Sequence, residues 1–276
     1  MALRIVKSTT SARRKMSYAD FSVLTKKEPE KSLIEPLKRH AGRNNQGKLT
    51  VRHRGGGAKR MYRNLFALES RMGQTASVIA LEYDPNRSAY IALIEYSDGI
   101  KGYIIAPEGL KVDDKVIADH TADTQLGNRI QLKNIPTGVM IHDIEMTPGR
   151  RSRAVRSAGT AATILAKEEL YVQVRMPSGE VRRIHGEGFA SIGPVSNPQH
   201  STIRIAKAGR TRHLGKRPTV RGKAMHPAAH PHGGGEGHNP VGLRWSKTPW
   251  GKPAMGKKTR RNKRTSQFIL RDRRKK

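Results

Sequence analysis

A mainly β fold, built as two small barrels with long basic extensions at both ends of the chain, is what this sequence predicts, and three observations lead there. Charge is partitioned: residues 1–74 hold 18 Lys and Arg against 5 acids, residues 75–200 hold 14 against 15, and residues 201–276 hold 22 against 2. The near-neutral middle is dense in short runs of β-branched and aromatic residues. No long amphipathic helix lies between those runs to act as a crossover, which favours antiparallel barrels over a parallel sheet.

In chain order, the first segment opens with "MALRIVKSTTSARRKMSYA", which is basic, hydroxyl-rich and free of carboxylates before Asp20. An organellar transit peptide has that composition, although later segments that cannot be presequences share its cationic character. The runs Ser77–Tyr83, Tyr90–Tyr96 and Gly102–Ala106 read as a meander, separated by "DPNRSA" and by the turn Asp98-Gly99. A second group, Val139–Met146, Leu170–Pro177, Glu180–Ile184 and Phe189–Gly193, contains the tight hairpin Pro177-Ser178-Gly179. The boundary between the barrels is expected near Gly127–Asn134. Ala, Leu, Lys and Glu concentrate at Ala158–Glu169 and predict one short helix there. From Ala206 onward Gly and Pro recur every few residues and no period survives, so this segment is expected to be extended and mobile in isolation and to order on a polyanion.

The bulk numbers restrict function. A net charge of +32 opposes compaction unless a polyanion supplies the counter-charge, and a nucleic acid is the obvious one. No apolar run approaches the roughly 18 residues of a membrane span. The chain has no cysteine, which removes disulfides, thiolate nucleophiles and cysteine-based metal sites.

Three motifs carry candidate chemistry. "GRNNQGKLT" (Gly42–Thr50) approaches the phosphate-binding loop G-x-x-x-x-G-K-[ST], but Leu49 stands where the magnesium-holding hydroxyl belongs. A basic loop on a polyanion, using Arg43, Asn44 and Lys48, fits better. "VRHRGGGAKRMYR" (Val51–Arg63) sets Arg52, His53, Arg54, Lys59, Arg60 and Arg63 around Gly55, Gly56 and Gly57. Glycines allow close backbone approach to RNA, and guanidinium planes can stack on bases. "HPHGGGEGH" (His230–His238) admits three readings. With His226, Glu236 or His238, His230 and His232 could ligate a metal, yet no scaffold for one is visible. His230 could act as a general base, but Ala228 and Ala229 leave no preceding carboxylate to orient it. The third reading asks least: imidazoles touching RNA while Gly233, Gly234 and Gly235 let the backbone lie against it. No metal or other cofactor is implied.

Seven motifs, "GRNNQGKLTVRHRGGG", "EYDPNRSAYIALI", "RSAGT", "RPTVRGKAM", "HPHGGGEG", "TPWG" and "KKTRRNKRTSQFILR", stand in an order that resembles the large ribosomal subunit protein two family in its bacterial form, over almost the whole chain. The resemblance implies an oligonucleotide-binding-type barrel at 75–130 and an SH3-like barrel at 131–200. A basic N-terminal extension at 1–74 and an extended rRNA-binding tail at 201–276 would flank them. It also implies a primary binder of large-subunit (23S-type) rRNA in a cytoplasmic ribosome, with an organellar one the weaker alternative. Such a protein supports assembly, subunit association, tRNA binding and the peptidyl transferase region, while the RNA performs the chemistry. Its partners would be the rRNA, other ribosomal proteins and the small subunit, and no membrane. Further candidate RNA contacts are Arg87, Arg150, Arg151, Arg153, Arg156, Lys207, Arg210, Arg212, Lys216, Arg217, Arg221, Lys223, Trp250, Lys257, Lys258, Arg260, Arg261, Lys263 and Arg264. The sequence departs from the family's pattern at Ala229, where the family usually has Asp, and in the arginine-rich "GRRSRAVRSAGT" (Gly149–Thr160). The other function classes the residues permit are a general nucleic-acid condensing protein and a histidine-metal hydrolase.

Overall fold

The computed structural model describes residues 3–235, 237 and 240–274. Strand makes up 29% against 10% helix, so the architecture is mainly β. The strands are β1 (Leu3–Ile5), β2 (Ser17–Ala19), β3 (Ile34–Pro36), β4 (Met61–Arg63), β5 (Thr75–Glu82), β6 (Ile91–Tyr96), β7 (Lys101–Ile105), β8 (Lys115–Asp119), β9 (Arg129–Gln131), β10 (Met140–His142), β11 (Ala162–Lys167), β12 (Tyr171–Arg175), β13 (Val181–His185), β14 (Phe189–Ile192) and β15 (Ile269–Arg271). Among the described residues the one α-helix is α1 (Ala208–His213). The chain forms two compact units: a barrel unit of residues 1–38, 59–207 and 265–276, and a basic unit of residues 39–58 and 208–264.

In the barrel unit the main sheet runs β15-β13-β12-β11-β10-β14-β9-β8-β5-β6-β7. β5, β6 and β7 form the expected meander. Its Asp98-Gly99 turn closes with Gly99 at φ +79°, a left-handed conformation that favours glycine. β5 alternates exposed and buried residues until a bulge between Val78 and Ala80 bends it, after which three consecutive residues turn inward. Val78, Ala92, Ile94 and Tyr96 with Ile104 and Val116 make the first core. Ile130, Ile141, Ile144, Ile164, Val172, Val174 and Ile184 make the second. Each Val or Ile side chain among them stabilises by about 1.5–3 kcal/mol through burial, so these two clusters hold the body together. A parallel junction, Ala118 opposite Arg129, is where β8 of the first barrel meets β9 of the second.

Three features differ from the sequence expectation. Ala158–Glu169 contains β11 instead of a helix, because Ala162 and Ile164 point into the second core and the strand pairs on both sides. Tertiary burial overrides helix propensity there. Residues 265–274, expected in the extended tail, return to the barrel unit: β15 pairs with β13, and the Phe268 ring lies 6.1 Å from that of Tyr171. At the other end the basic opening residues are built into the body. Leu3–Ile5 pairs with Ser17–Ala19, Met16 is buried, and the Ser17 hydroxyl accepts the Arg204 amide at 2.9 Å.

The basic unit has a different construction. It holds 20 Lys and Arg and a single acid, Glu236, while His230 is the only buried residue among its described ones. With no apolar core, its shape rests on backbone hydrogen bonds and close glycine contacts. It is also not featureless: α1, a 3-10 turn at Gly222–Ala224 and a hairpin around Lys247 and Pro253 occupy a stretch where periodicity predicts nothing. Turn chemistry from Gly and Pro makes these elements, and it leaves no hydrophobic period to read.

Candidate nucleic-acid interface

Backbone contacts join the two stretches of the basic unit. Arg54 pairs antiparallel with Lys216, the Gly55 amide donates to the Gly215 carbonyl at 3.0 Å, and Ala58 donates to His213 at 2.9 Å. His53 adds a ring contact, Nδ1 to the Pro218 carbonyl at 3.0 Å. This zipper brings Arg52 and Arg54 into one unit with Arg210, Arg212, Lys216, Arg217, Arg221 and Lys223, and with Lys257, Lys258, Arg260, Arg261, Lys263 and Arg264. Arg52, Arg54, Arg212, Lys216, Arg217, Arg221 and the six cations of 257–264 are exposed.

The glycines serve the chain's own packing more than the sequence suggests. A Cβ at Gly57 would sit 2.8 Å from the His213 carbonyl oxygen and 2.9 Å from the Gly215 nitrogen. One at Gly233 would meet the Met225 and His226 carbonyl oxygens at 2.5 and 2.6 Å, and one at Gly234 would meet Pro227 at 2.8 Å. At those three positions the space reserved by glycine is filled by protein, not held open for RNA. Gly56 has nothing within 4 Å, and Gly55 and Gly235 have positive φ. Arg39 donates to the Gly56 and Gly57 carbonyls at 3.0 Å, and to Ala58 as well. The Arg43–Leu49 loop is closed by a bridge between those two residues. The Asn44 side chain accepts the Gln46 and Lys48 amides at 3.0 and 2.9 Å. No helix follows this loop, so it lacks the strand–loop–helix frame of a nucleotide-hydrolysing P-loop.

The histidines have a structural task. His226 Nδ1 accepts the Ala228 amide at 3.2 Å, His230 Nδ1 accepts His232 at 3.0 Å, and His232 Nε2 accepts Lys247 at 2.8 Å. The His230 ring packs so closely on Gly222 that a Cβ there would lie 2.6 Å from it. A metal ion at His230 Nδ1 or His232 Nε2 would therefore have to displace a backbone donor, and the same lone pair is spent for base catalysis. Among the described residues no three histidine or acidic side chains converge as a ligand set; the candidate ligands Glu236 and His238 lie outside those residues. Desolvation holds the His230 pKa below its ordinary value, and the neighbouring His232 and Arg52 charges act the same way. A depressed histidine pKa means the fold favours the neutral ring. The turn's stability is thus fully present above about pH 6.5 and is lost as pH falls below it. In the rRNA-bound protein, protection of the His232 amide against hydrogen exchange is expected to drop between about pH 7.5 and about pH 5. Equal protection at both would contradict the acceptor role.

A second basic surface belongs to the barrel unit. The loop between β10 and β11 presents Arg150, Arg151 and Arg153 to solvent, with Arg156 half-buried. It is strained: Asp143, Arg151 and the β-branched Val155 have φ of +47°, +50° and +54°. Buried Arg129 on β9 holds that shape. Its Nη1 donates to the Asp143 carbonyl at 2.9 Å and the Ser191 hydroxyl at 3.1 Å; Nη2 reaches Ser152 and Nε reaches Glu69. Arg156 pairs with the same Asp143 at 2.9 Å. Lys59 and Lys207 are exposed in the barrel unit. Arg60 donates to the Pro85 carbonyl at 2.8 Å, and Arg87 pairs with buried Asp84. Arg63, by contrast, is buried, with Nη1 on the Met61 carbonyl at 2.9 Å, where it supports β4.

Sequence reasoning missed Arg39, Arg129 and Trp245. An arginine in "NRIQL" or "LKRHA" carries no mark of the carbonyls it will hold, whereas Trp245 could have been noticed as an aromatic between two cations. Taken together, the site offers exposed guanidinium and ammonium groups on a glycine-shaped backbone, chemistry suited to phosphates and bases. Two family models match the chain: "Ribosomal Proteins L2, RNA binding N-terminal domain" over residues 30–118 and "Ribosomal Proteins L2, C-terminal domain" over residues 125–251. Both barrels, the arginine loop and most of the basic unit fall inside these matches, and the chain accordingly belongs to the ribosomal protein L2 family, as a structural, rRNA-binding component of the large ribosomal subunit.

Proposed function

We propose that the basic unit and the Arg150–Arg156 loop are the two rRNA-contacting surfaces, the first clamping phosphates through its exposed cations and the second presenting guanidinium groups from a preformed loop. The observation that carries this is a unit with 20 cationic residues, one acid and, among its described residues, a single buried side chain: it gains little from folding on itself and much from a polyanion. The barrels, an oligonucleotide-binding-type fold over about 75–130 and an SH3-like fold over about 131–200, serve as the body; of the extensions at 1–74 and 201–276, residues 3–38, 59–74, 201–207 and 265–274 belong to the barrel unit. In this reading the chemistry is left to the RNA, and His226, His230 and His232 each give one ring nitrogen to a backbone amide. By family it supports subunit association, tRNA binding and the peptidyl transferase region, with the small subunit as a partner across the interface. A cytoplasmic ribosome is the compartment this reading assigns, with an organellar one as the alternative.

Binding to large-subunit rRNA across a salt series tests this. The log–log slope should be steep, and replacing Lys257, Lys258, Arg260, Arg261, Lys263 and Arg264 by Gln should make it shallower by about 0.7–0.9 for each phosphate that is no longer neutralised. The β15 residues stay intact in this variant, so the barrel is spared. An unchanged slope would mean the run is merely solvated. Equal affinity for duplex DNA would favour a general condensing protein.

A further inference from the structure

The segment around Trp250 is built as a display. Thr248 and Lys252 pair at 2.8 Å, Ala254 donates to Ser246 at 2.8 Å, and Lys247 bridges Pro253, so the strands of a short hairpin face each other. Its tip is Thr248-Pro249-Trp250-Gly251, closed by the Gly251 amide on the Thr248 carbonyl at 2.9 Å, with Gly251 at φ +75°. Proline in the second place pre-sets the turn, and glycine accepts the left-handed conformation that ends it. The base of the hairpin is fixed by the Lys247 amide on His232 Nε2. At the tip, Trp250 is 75% exposed, and the Arg52 guanidinium lies 5.8 Å from the ring centroid, within cation–π range. Exposing most of an indole costs hydrophobic free energy, and the hairpin holds the ring out beside cations.

We propose that Trp250 is a stacking platform for an unpaired base of the large-subunit rRNA, with Arg52 and Lys252 meeting the adjoining phosphates. This rests on the rRNA-binding reading above and adds the RNA feature recognised there. Charge selects the occupant: the surrounding unit has 20 cations and one acid, which suits a polyanion and not a typical protein surface. Every base offers a π face, so stacking here requires single-stranded or extruded nucleotides and little sequence.

The chain has two tryptophans, so Trp245→Phe leaves Trp250 as the sole tryptophan in the full-length protein, to be excited selectively over the tyrosines. The probes are a short mixed-sequence single-stranded oligoribonucleotide and a duplex RNA of the same length. The single strand should quench Trp250 and the duplex should not. Trp250→Ala should weaken single-strand affinity on the order of tenfold and duplex affinity by less than about twofold, while Trp250→Phe keeps most of the binding. Exposure of the ring makes both variants structurally mild. Absence of quenching by the single strand, or equal losses on both probes, would overturn the platform. If steep, salt-sensitive rRNA binding survives such a failure, the broader reading stands and this one falls. If the wild-type chain binds no rRNA even at low salt, both fall.

Discussion

Replacing Gly57 by Ala is expected to weaken rRNA binding at least about tenfold, equivalent to about 1.4 kcal/mol. A methyl at this position would lie 2.8–3.0 Å from the His213 carbonyl oxygen and the Gly215 nitrogen and Cα, all backbone atoms that cannot swing aside. The residue also sits at φ +90°, where an L side chain is strained. Each effect costs on the order of 1–3 kcal/mol, and the zipper next to it, Gly55 to Gly215 and Ala58 to His213, has no hydrophobic core to offset the loss. The two stretches of the basic unit should part there. Gly56→Ala is the control, since its Cβ meets nothing within 4 Å and only the φ of +66° is strained. Filter-binding titrations that put the two variants at the same affinity would refute the packing role.

Arg129→Ala should lower the stability of the barrel unit by about 3 kcal/mol, at the lower end for breaking a buried ion pair because Glu69 and Asp143 keep some solvent contact. For a body of this size that is a drop in Tm of roughly 6–12 °C. Asp143 retains Arg156, so Glu69 suffers most, and the Asp143 and Ser191 contacts vanish with the guanidinium. Arg129→Lys keeps the charge without the planar fork and should fall between. The Arg150–Arg153 loop, no longer pinned at Ser152 and Asp143, should also contribute less to rRNA affinity. Thermal unfolding that shifts by less than about 2 °C would remove Arg129 from this account.

The barrels were legible because their strands are short runs rich in β-branched and aromatic residues that end at strong turn residues: Asp98-Gly99 and Pro177-Ser178-Gly179 sit where the hairpins close. Ala158–Glu169 misled, since Ala, Leu, Lys and Glu favour a helix locally while Ile164 and Ala162 are wanted by a distant core. Many candidate cations do lie exposed in the basic unit or the arginine loop, because charge density is a direct property of composition. The inward roles were not legible. Arg63 and Arg129 look like any other arginines, and whether Gly57 or Gly233 leaves room for RNA or for the chain's own carbonyls depends on contacts from residues far away in sequence. The histidine segment shows the same limit: its composition suggests ligands, and its geometry makes three acceptors for backbone amides.

The central claim is that the basic unit, lacking a core, takes its stability from rRNA while the barrels are stable alone. Hydrogen exchange on the free chain and on its complex with large-subunit rRNA tests it most directly, using amides whose acceptors are known: Gly55, Ala58, Gly233 and Lys247 in the basic unit, and Val78, Ile144 and Val195 in the barrels. Fast exchange is expected for the first group in the free protein, with strong protection of it in the complex and slow exchange of the second group in both. Protection of the first group that is already high without RNA, or unchanged on binding it, would contradict the account.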